Sequence, residues 1–288
     1  MTNAADWRGR VGDVWAEEYV RTERAFSGIA AALDVAIDAI APQIGRAADL
    51  GCGVGSTTFA VAAARPGLRI TGIDLSAALI AVARRRAEMI TNGAERSEAG
   101  AVTFATGDVV PLLPTLAPLD LLVSRHGLMF FDDPVPAFAA LRAASVTGAP
   151  LIFSCFAART ENDWLVTPRN ALGLSQPIVD GYEPGPFAFA DGEFVRALLD
   201  QGGWDDVQIT RQRVDYPVGG GMDPIESALD FYRRIGPLAP FLAASQAPDR
   251  ARHETMLRDL FASRIQGGMV TFSAAIQIVT ARAGKEVA

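Results

Sequence analysis

Two periods of apolar and polar positions alternate along the first half of the chain. Short apolar segments with strand character are separated by stretches with helical spacing, which begin near Ser56, after Ser76 and at Pro134. This alternation is typical of a parallel sheet with helices on both faces. We therefore predict an α/β fold whose first strands have the sequences AADL, LRITGID, VTFAT, LDLLVS and PLIFSCF.

A helix is predicted before the first strand, over residues 22–41. Its apolar side chains recur at three- and four-residue spacings, which places them on one buried face: Phe26, Ile29, Leu33, Ile37 and Ile40. Residues 1–45 are accordingly predicted to form an N-terminal helical cap.

The second half of the chain has a less regular pattern. Residues 157–190 are rich in proline, glycine and aromatic residues, which favours a long ordered loop. A helix capped by Asp191 and a strand with the sequence VQITRQRV follow, and AAIQIVTARA forms the final strand. We predict that residues 46–216 and 269–288 form one core and that residues 217–268 are a helical insertion.

The charge balance narrows the classes of partner. The chain has 26 basic and 33 acidic residues, a net charge of −7, and such a chain repels phosphate backbones and anionic lipids. We therefore expect neither nucleic acid nor a membrane as a partner. The N-terminus lacks the apolar core of a signal peptide, and neither Cys52 nor Cys155 suggests a disulfide, so we expect a cytoplasmic protein.

A glycine-rich loop follows the first predicted strand and opens a helix. Gly51, Gly53 and Gly55 allow the backbone to approach a nucleotide-like ligand closely. The dinucleotide fingerprint would place a glycine at position 56, where this chain has Ser56, and the carboxylate of Asp49 would disfavour a pyrophosphate. S-adenosylmethionine carries an ammonium and a sulfonium but no phosphate, so an acidic loop suits it better.

Two further aspartates follow the next two strands. Asp74 ends the strand LRITGID, where its carboxylate can accept hydrogen bonds from both hydroxyls of a ribose. Asp108 follows the third strand, where it can accept a hydrogen bond from an adenine amino group. For both residues, a turn or capping aspartate is the alternative reading.

These motifs together resemble the class I S-adenosylmethionine-dependent methyltransferases. The likeness is carried by DLGCGVGSTT, GIDLS, the GD after the third strand and SRHGLMFFDDPVPAFAALRAA. It is strongest toward the bacterial small-molecule group that includes ubiquinone/menaquinone-biosynthesis and aconitate methyltransferases. The resemblance implies a Rossmann-like sheet of seven mostly parallel strands with an antiparallel last strand, which would be formed by Ile276 to Ala281. From the residues themselves, we expect the acceptor pocket to lie between the sheet edge and a cover formed by residues 157–190 and 217–268, because the aromatic content of the first segment and the helical pattern of the second suit an apolar ligand surface. Structural padding over the sheet is the alternative.

The resemblance also implies the residues that would bind S-adenosylmethionine. The methionine part would contact Gly51, Cys52, Gly53 and Gly55, with Asp49 near its ammonium and the backbone of Arg125 nearby. Asp74 would bind the ribose, Leu75 would pack on adenine, and Asp108 and Val109 would flank the base. N-terminal residues often close over the cofactor in this family, which makes Trp15 and Tyr19 further candidates, with ordinary packing of the leading helix as the alternative. We predict no metal site.

His126 is the candidate for the chemical step. It directly follows the fourth strand, which borders the methionine end of the cofactor in the family that the chain resembles. A histidine there could position a small-molecule acceptor or take its proton. The alternative is a hydrogen-bonded residue that shapes the loop between strand and helix.

Three other functions remain open at this stage. An NAD(P)-dependent oxidoreductase would share the strand, glycine loop and helix, although Asp49 and Ser56 disfavour it. A noncatalytic S-adenosylmethionine-binding module would retain the loop and Asp74. A nucleic-acid methyltransferase is disfavoured by the acidic charge and by SRHG at the position where an NPPY-like tetrapeptide would stand.

Overall fold

One mixed sheet organises the protein. The computed structural model describes residues 4–93, 101–175, 181–236 and 238–285, with the backbone alone for 91–93. The strands of these ranges are β1 (Ile44–Leu50), β2 (Gly67–Asp74), β3 (Val102–Thr106), β4 (Leu121–Arg125), β5 (Pro150–Phe156), β6 (Trp204–Gly219), β7 (Ile265–Gln266) and β8 (Met269–Ala283).

The strand order is β3-β2-β1-β4-β5-β8-β6, and the two-residue β7 pairs with β8 outside this path. Strands β1 to β5 are parallel to one another, whereas β8 runs antiparallel to both β5 and β6. The predicted Rossmann-like fold, with mostly parallel strands and an antiparallel last strand, is confirmed. The order reverses between β1 and β4, and open α/β sheets bind ligands at such a switch point.

Helices surround the sheet and extend above its edge. In the described ranges they are α1 (Ala4–Arg8), α2 (Arg10–Glu17), α3 (Tyr19–Ala25), α4 (Ser27–Ile40), α5 (Ser56–Ala64), α6 (Ala77–Gly93), α7 (Val109–Leu116), α8 (Pro134–Ala143), α9 (Asp163–Ala171), α10 (Gly192–Gln201), α11 (Pro224–Arg234), α12 (Ala239–Ala244) and α13 (Ala247–Ala262). Among the described residues, no helix combines the length and apolar character needed to cross a membrane.

Several elements differ from the sequence-based expectation. The predicted helix over 22–41 is two helices, α3 and α4, which meet at Phe26. The loop predicted for 157–190 contains α9, which accommodates Pro168. Strand β6 continues to Gly219, three residues into the segment predicted as the insertion, because pairing with the long strand β8 extends it.

Candidate cofactor and acceptor site

The glycine loop is held by backbone contacts on two sides. The backbone nitrogens of Gly51 and Cys52 both donate to the carbonyl of Ile73, each at 2.9 Å. Gly51 has φ +68, and a Cβ at this position would lie 2.9 Å from the Cα of Gly127. The loops that follow β1 and β4 are therefore in direct backbone contact, and a side chain at Gly51 would separate them.

Asp74 joins the end of β2 to the glycine loop. Its Oδ2 accepts a hydrogen bond from the backbone nitrogen of Gly53 at 2.8 Å, and its Oδ1 accepts one from that of Ser76 at 2.9 Å. A carboxylate has about four lone-pair positions, so each oxygen retains one for a ligand hydroxyl. Burial raises the pKa of Asp74, while the two backbone donors act in the opposite direction.

Asp49 lies at the end of β1 and is fully buried. Its Oδ2 accepts a hydrogen bond from the Oγ1 of Thr58 at 2.6 Å, whereas its Oδ1 has no partner among the described residues. Burial raises the pKa of this carboxyl to about 6. A buried acceptor that lacks a partner is costly, and a ligand cation at this position would satisfy it.

Asp108 has the capping role that was its alternative reading. It is the N-cap of α7, and its Oδ1 accepts a hydrogen bond from the backbone nitrogen of Val110 at 3.2 Å. Its Oδ2 lies 3.7 Å from a guanidinium nitrogen of Arg8, in an exposed ion pair. The side chain still borders the same cavity as Leu75 and Val109, so capping and ligand contact are compatible.

His126 is buried between aromatic rings at the end of β4. Its ring centroid lies 4.3 Å from that of Phe156 and 5.4 Å from that of Phe26, both in edge-to-face geometry. Its Nδ1 is 2.8 Å from the Oγ of Ser154, and its Nε2 has no partner among the described residues. Burial, together with the charge of Arg125, lowers the pKa of His126 to about 3, which keeps the imidazole neutral.

Arg125 and the N-terminal helices form one side of the site. The Nη2 of Arg125 donates to the Oε1 of Glu23 at 2.6 Å, which links β4 to α3. Trp15 borders the cavity, and its ring contacts those of Trp7 and Phe26 at centroid distances of 5.2 and 6.1 Å. Tyr19 does not line the cavity. It packs instead against a small apolar cluster of Val54, Leu79 and Val82.

A cavity of about 1070 Å³ connects these residues. From the predicted set, its lining includes Trp15, Asp49, Gly51, Cys52, Gly53, Asp74, Leu75, Asp108, Val109, Arg125 and His126. Gly55 does not line the cavity. It lies against the ring of Phe104, which a Cβ at this position would approach to 2.7 Å. Gly53 has φ +55, and a Cβ there would meet nothing within 4 Å, so the cavity has open space beside this glycine.

The far end of the cavity is lined by residues that the sequence did not single out as site residues. They come from β5, β6, α9, α11, the segment between β5 and α9 and the segment before α10, and they include Phe156, Arg159, Trp164, Phe187, Tyr216 and Phe231. The high aromatic content of residues 157–190 was the available signal. Their convergence depends on tertiary packing that a linear pattern does not specify.

Comparison with known proteins agrees with this geometry. A family described as "Methyltransferase domain" matches residues 47–148. Trans-aconitate 2-methyltransferase from Streptomyces avermitilis is 33% identical over 108 residues, which make up 38% of this chain and 38% of that protein. The similarity therefore spans well under half of the curated relative.

Solved structures share the fold at low sequence identity. Phosphoethanolamine N-methyltransferase 2 from Haemonchus contortus, in complex with S-adenosyl-L-methionine, superposes with a TM-score of 0.53 and 15% identity, covering 99% of this chain and 61% of that one. The YcgJ protein from Bacillus subtilis has a TM-score of 0.55 and 13% identity, over 88% of this chain and 99% of that one.

The family match and the shared sheet define the class: the chain carries a methyltransferase domain of the class I fold. The matched residues 47–148 include the glycine loop and the strand-end aspartates Asp74 and Asp108, on which the resemblance to the S-adenosylmethionine-dependent methyltransferases rests.

Proposed function

We propose that this protein is a transferase that moves the methyl group of S-adenosylmethionine to a small-molecule acceptor. The observation that carries the proposal is the pair of buried carboxylates, Asp49 and Asp74, on either side of an open glycine loop. Two carboxylates without a basic residue in the loop disfavour a phosphate and favour a cation. This charge arrangement also disfavours an NAD(P)-dependent oxidoreductase.

The residues present fit S-adenosylmethionine. The unpartnered Oδ1 of Asp49 is suited to an ammonium, and the free lone pairs of Asp74 are suited to ribose hydroxyls.

The other predicted residues would contact the rest of the cofactor. Leu75 and Val109 would lie against the adenine, with Asp108 at its edge. The space beside Gly53 and Cys52 and the backbone at Arg125 would accommodate the methionine part, and Trp15 would cover it. Tyr19 and Gly55 do not line the cavity, and they would support the residues that contact the cofactor.

When bound, the cofactor supplies an electrophilic methyl group on a sulfonium, and the protein's task is to hold a nucleophile in line with it. The reacting atoms must lie about 3 to 3.5 Å apart with aligned geometry. Largely apolar walls limit the access of water and strengthen the electrostatic contacts beside them. The aromatic residues around His126 provide such surroundings.

His126 is proposed to position the acceptor through its Nε2. With its pKa lowered to about 3, the ring stays neutral at physiological pH, so its Nε2 offers a lone pair or an N–H according to the tautomer that Ser154 selects. A neutral imidazole of such low basicity is better suited to orient an acceptor hydroxyl or amine than to retain its proton. The surrounding rings of Phe26 and Phe156 fix its orientation.

The proposal also covers the class of acceptor, the cellular location and the division of the chain into domains. A curated relative named for a small-molecule acceptor, trans-aconitate, and the net charge of −7 support a small molecule over a nucleic acid or a membrane lipid. We also propose a cytoplasmic location, because the sequence favours a reducing compartment. Residues 46–216 and 269–288 would form the methyltransferase core, with 1–45 and 217–268 as its covers.

Calorimetric titration tests the cofactor assignment directly. S-adenosylmethionine and S-adenosylhomocysteine should bind to the purified protein, whereas NADH should not. Metabolite extracts incubated with isotopically labelled cofactor and analysed by mass spectrometry would then identify the acceptor. Binding of NADH in preference to S-adenosylhomocysteine would overturn the proposal, and binding without any methylated product would indicate a noncatalytic module.

A further inference from the structure

Three aromatic rings that line the cavity form a stack. The ring centroids of Phe187 and Trp164 are 6.2 Å apart with planes at 17°, and those of Trp164 and Tyr216 are 4.9 Å apart with planes at 25°. Phe156 contacts both Trp164 and Phe187 at 5.2 and 5.5 Å. All four residues line the cavity.

Buried hydrogen bonds hold this stack in place. The Nε1 of Trp164 donates to the Oδ1 of Asn162 at 3.0 Å, and the same oxygen accepts from the backbone nitrogen of Ala275 on β8 at 3.0 Å. The hydroxyl of Tyr232 donates to the carbonyl of Trp164 at 2.6 Å. The central ring is thus fixed to the sheet and to α11, so it offers a preorganised surface at low entropic cost.

A cation lies at the outer end of the stack. The Cζ of Arg159 is 4.4 Å from the centroid of the Phe187 ring, and its side chain has no ion pair with the described residues. The two cavity arginines of α11 differ in this respect, because Arg233 pairs with Glu254 and Arg234 pairs with Glu18. Burial and the nearby Arg169 lower the pKa of Arg159, and Glu183 opposes this only as a longer-range charge.

Charged side chains of both signs line the cavity, and Arg125 among them is paired with Glu23, whereas Arg159 has no ion pair with the described residues. Asp49 and Asp74 lie beside the glycine loop, and the unpaired guanidinium of Arg159 lies at the end of the aromatic stack. A guanidinium that lacks a carboxylate partner offers several N–H donors in a fixed plane, which matches a carboxylate. Flat rings prefer offset or edge-to-face contact with other rings.

We propose that the methyl acceptor is an aromatic carboxylate, whose ring packs against Phe187, Trp164 and Tyr216 and whose carboxylate binds Arg159. This inference rests on the proposed function and specifies the acceptor class for the same site. The acceptor's negative charge would be complementary to Arg159 and attracted to a cationic cofactor on the other side. His126 lines the same cavity and contacts Phe156, which in turn contacts Trp164 and Phe187.

The test uses the full-length protein saturated with S-adenosylhomocysteine. Benzoate, 4-hydroxybenzoate, 1-naphthoate and indole-3-acetate are titrated beside their neutral amides and beside cyclohexanecarboxylate, with binding followed by saturation-transfer NMR. At least one aromatic carboxylate should bind about tenfold or more tightly than both its amide and cyclohexanecarboxylate, the scale of a charge-assisted hydrogen bond.

Two variants and a control separate the contributions of the charge and of the aromatic ring to acceptor binding. Arg159→Gln should abolish the preference for the carboxylate over the amide, and Phe187→Leu, at a half-buried position, should reduce the preference for the aromatic ring. Arg211→Gln removes the same charge from an exposed arginine that lies outside the cavity lining and should change neither. If no carboxylate binds more tightly than its amide, or if Arg159→Gln retains the preference, the inference is wrong. Failure of S-adenosylhomocysteine to bind would instead contradict the proposed function.

Discussion

The Oδ2 of Asp74 accepts a hydrogen bond from the backbone nitrogen of Gly53 at 2.8 Å, so the carboxylate at the end of β2 fixes the loop that follows β1. The same side chain is proposed to bind the ribose. It therefore has two functions, as a ligand contact and as an anchor for the loop that contacts the rest of the cofactor. A substitution at Asp74 affects both.

Replacing Asp74 by alanine should weaken the binding of S-adenosylhomocysteine by roughly 1.5 to 3 kcal/mol, the scale of hydrogen bonds to a charged group. Isothermal titration calorimetry measures this directly. Asp38→Ala is the matched control, because Asp38 is an exposed aspartate whose ion pair with Arg65 lies away from the cavity. Unchanged affinity in the Asp74 variant would remove the ribose assignment.

Gly53 and Gly148 provide a comparison that separates strain from ligand contact. Both have positive φ, +55 and +82, and a Cβ at either position would meet nothing within 4 Å. Alanine should therefore cost each site a similar amount of folding stability, about 1 to 2 kcal/mol. Only Gly53→Ala should also reduce cofactor affinity, since Gly53 borders the cavity. Thermal denaturation and calorimetry of both variants would check this, and equal cofactor affinity in the two would contradict it.

Asp49 should release a proton when the cofactor binds. Burial raises its pKa to about 6, so near pH 6 much of the free protein carries this carboxyl protonated, and a ligand ammonium favours the ionised form. The binding enthalpy near pH 6 should then depend on the ionisation enthalpy of the buffer, because Asp49 loses a proton while the ligand amine, with an ordinary pKa of about 8, is already protonated. Asp49→Asn should abolish this dependence near pH 6. A wild-type enthalpy independent of buffer near pH 6 would show that no ammonium contacts Asp49.

His126 should make the folded protein less stable in acid. Its pKa is lowered to about 3 and is near 6.5 in the unfolded chain, so between these values the unfolded state binds more protons. The stability associated with the neutral ring is complete above about pH 6.5 and is lost as the pH falls, by roughly 2 kcal/mol at pH 5. Asp49 acts in the opposite direction, because its raised pKa makes the folded state bind more protons below about pH 6.

Denaturant unfolding of the wild type and of His126→Asn at pH 7 and pH 5 isolates the histidine contribution. The variant should lose less stability on acidification than the wild type, while Asp49 contributes equally to both. With an identified acceptor, the same variant should bind S-adenosylhomocysteine normally and lose turnover by about 10². Wild-type turnover in the variant would rule out a role for His126 in the reaction.

The sheet was predictable because buried parallel strands are short and continuously apolar, and each one here is followed by a polar or glycine signal. The seven residues of PLIFSCF, for example, are all buried and coincide with β5. Helices α7 and α9 were missed. Both contain an internal proline, Pro114 and Pro168, and prolines normally indicate loops, whereas here tertiary packing stabilises the helices around them.

The cofactor side of the site was more accessible to sequence reasoning than the acceptor side. Asp49 and Asp74 lie at the ends of the neighbouring strands β1 and β2, and Gly53 lies in the loop after β1, so their proximity results from topology alone. The aromatic stack brings together Trp164, Phe187 and Tyr216 from three separate segments. Nothing in their spacing along the chain indicates that they meet. In addition, the strand predicted for VQITRQRV ends before Tyr216, which lies in β6.

The backbone contact between Gly51 and Gly127 constrains any attempt to re-engineer this protein. A Cβ at Gly127 would lie 2.5 Å from the carbonyl oxygen of Leu50, and one at Gly51 would lie 2.9 Å from the Cα of Gly127. Libraries designed to change acceptor preference would be wasted on these two positions, since almost any side chain would disturb both loops together. Diversity is better introduced in the cover helices, where new side chains can be tried while the glycine loop keeps its shape.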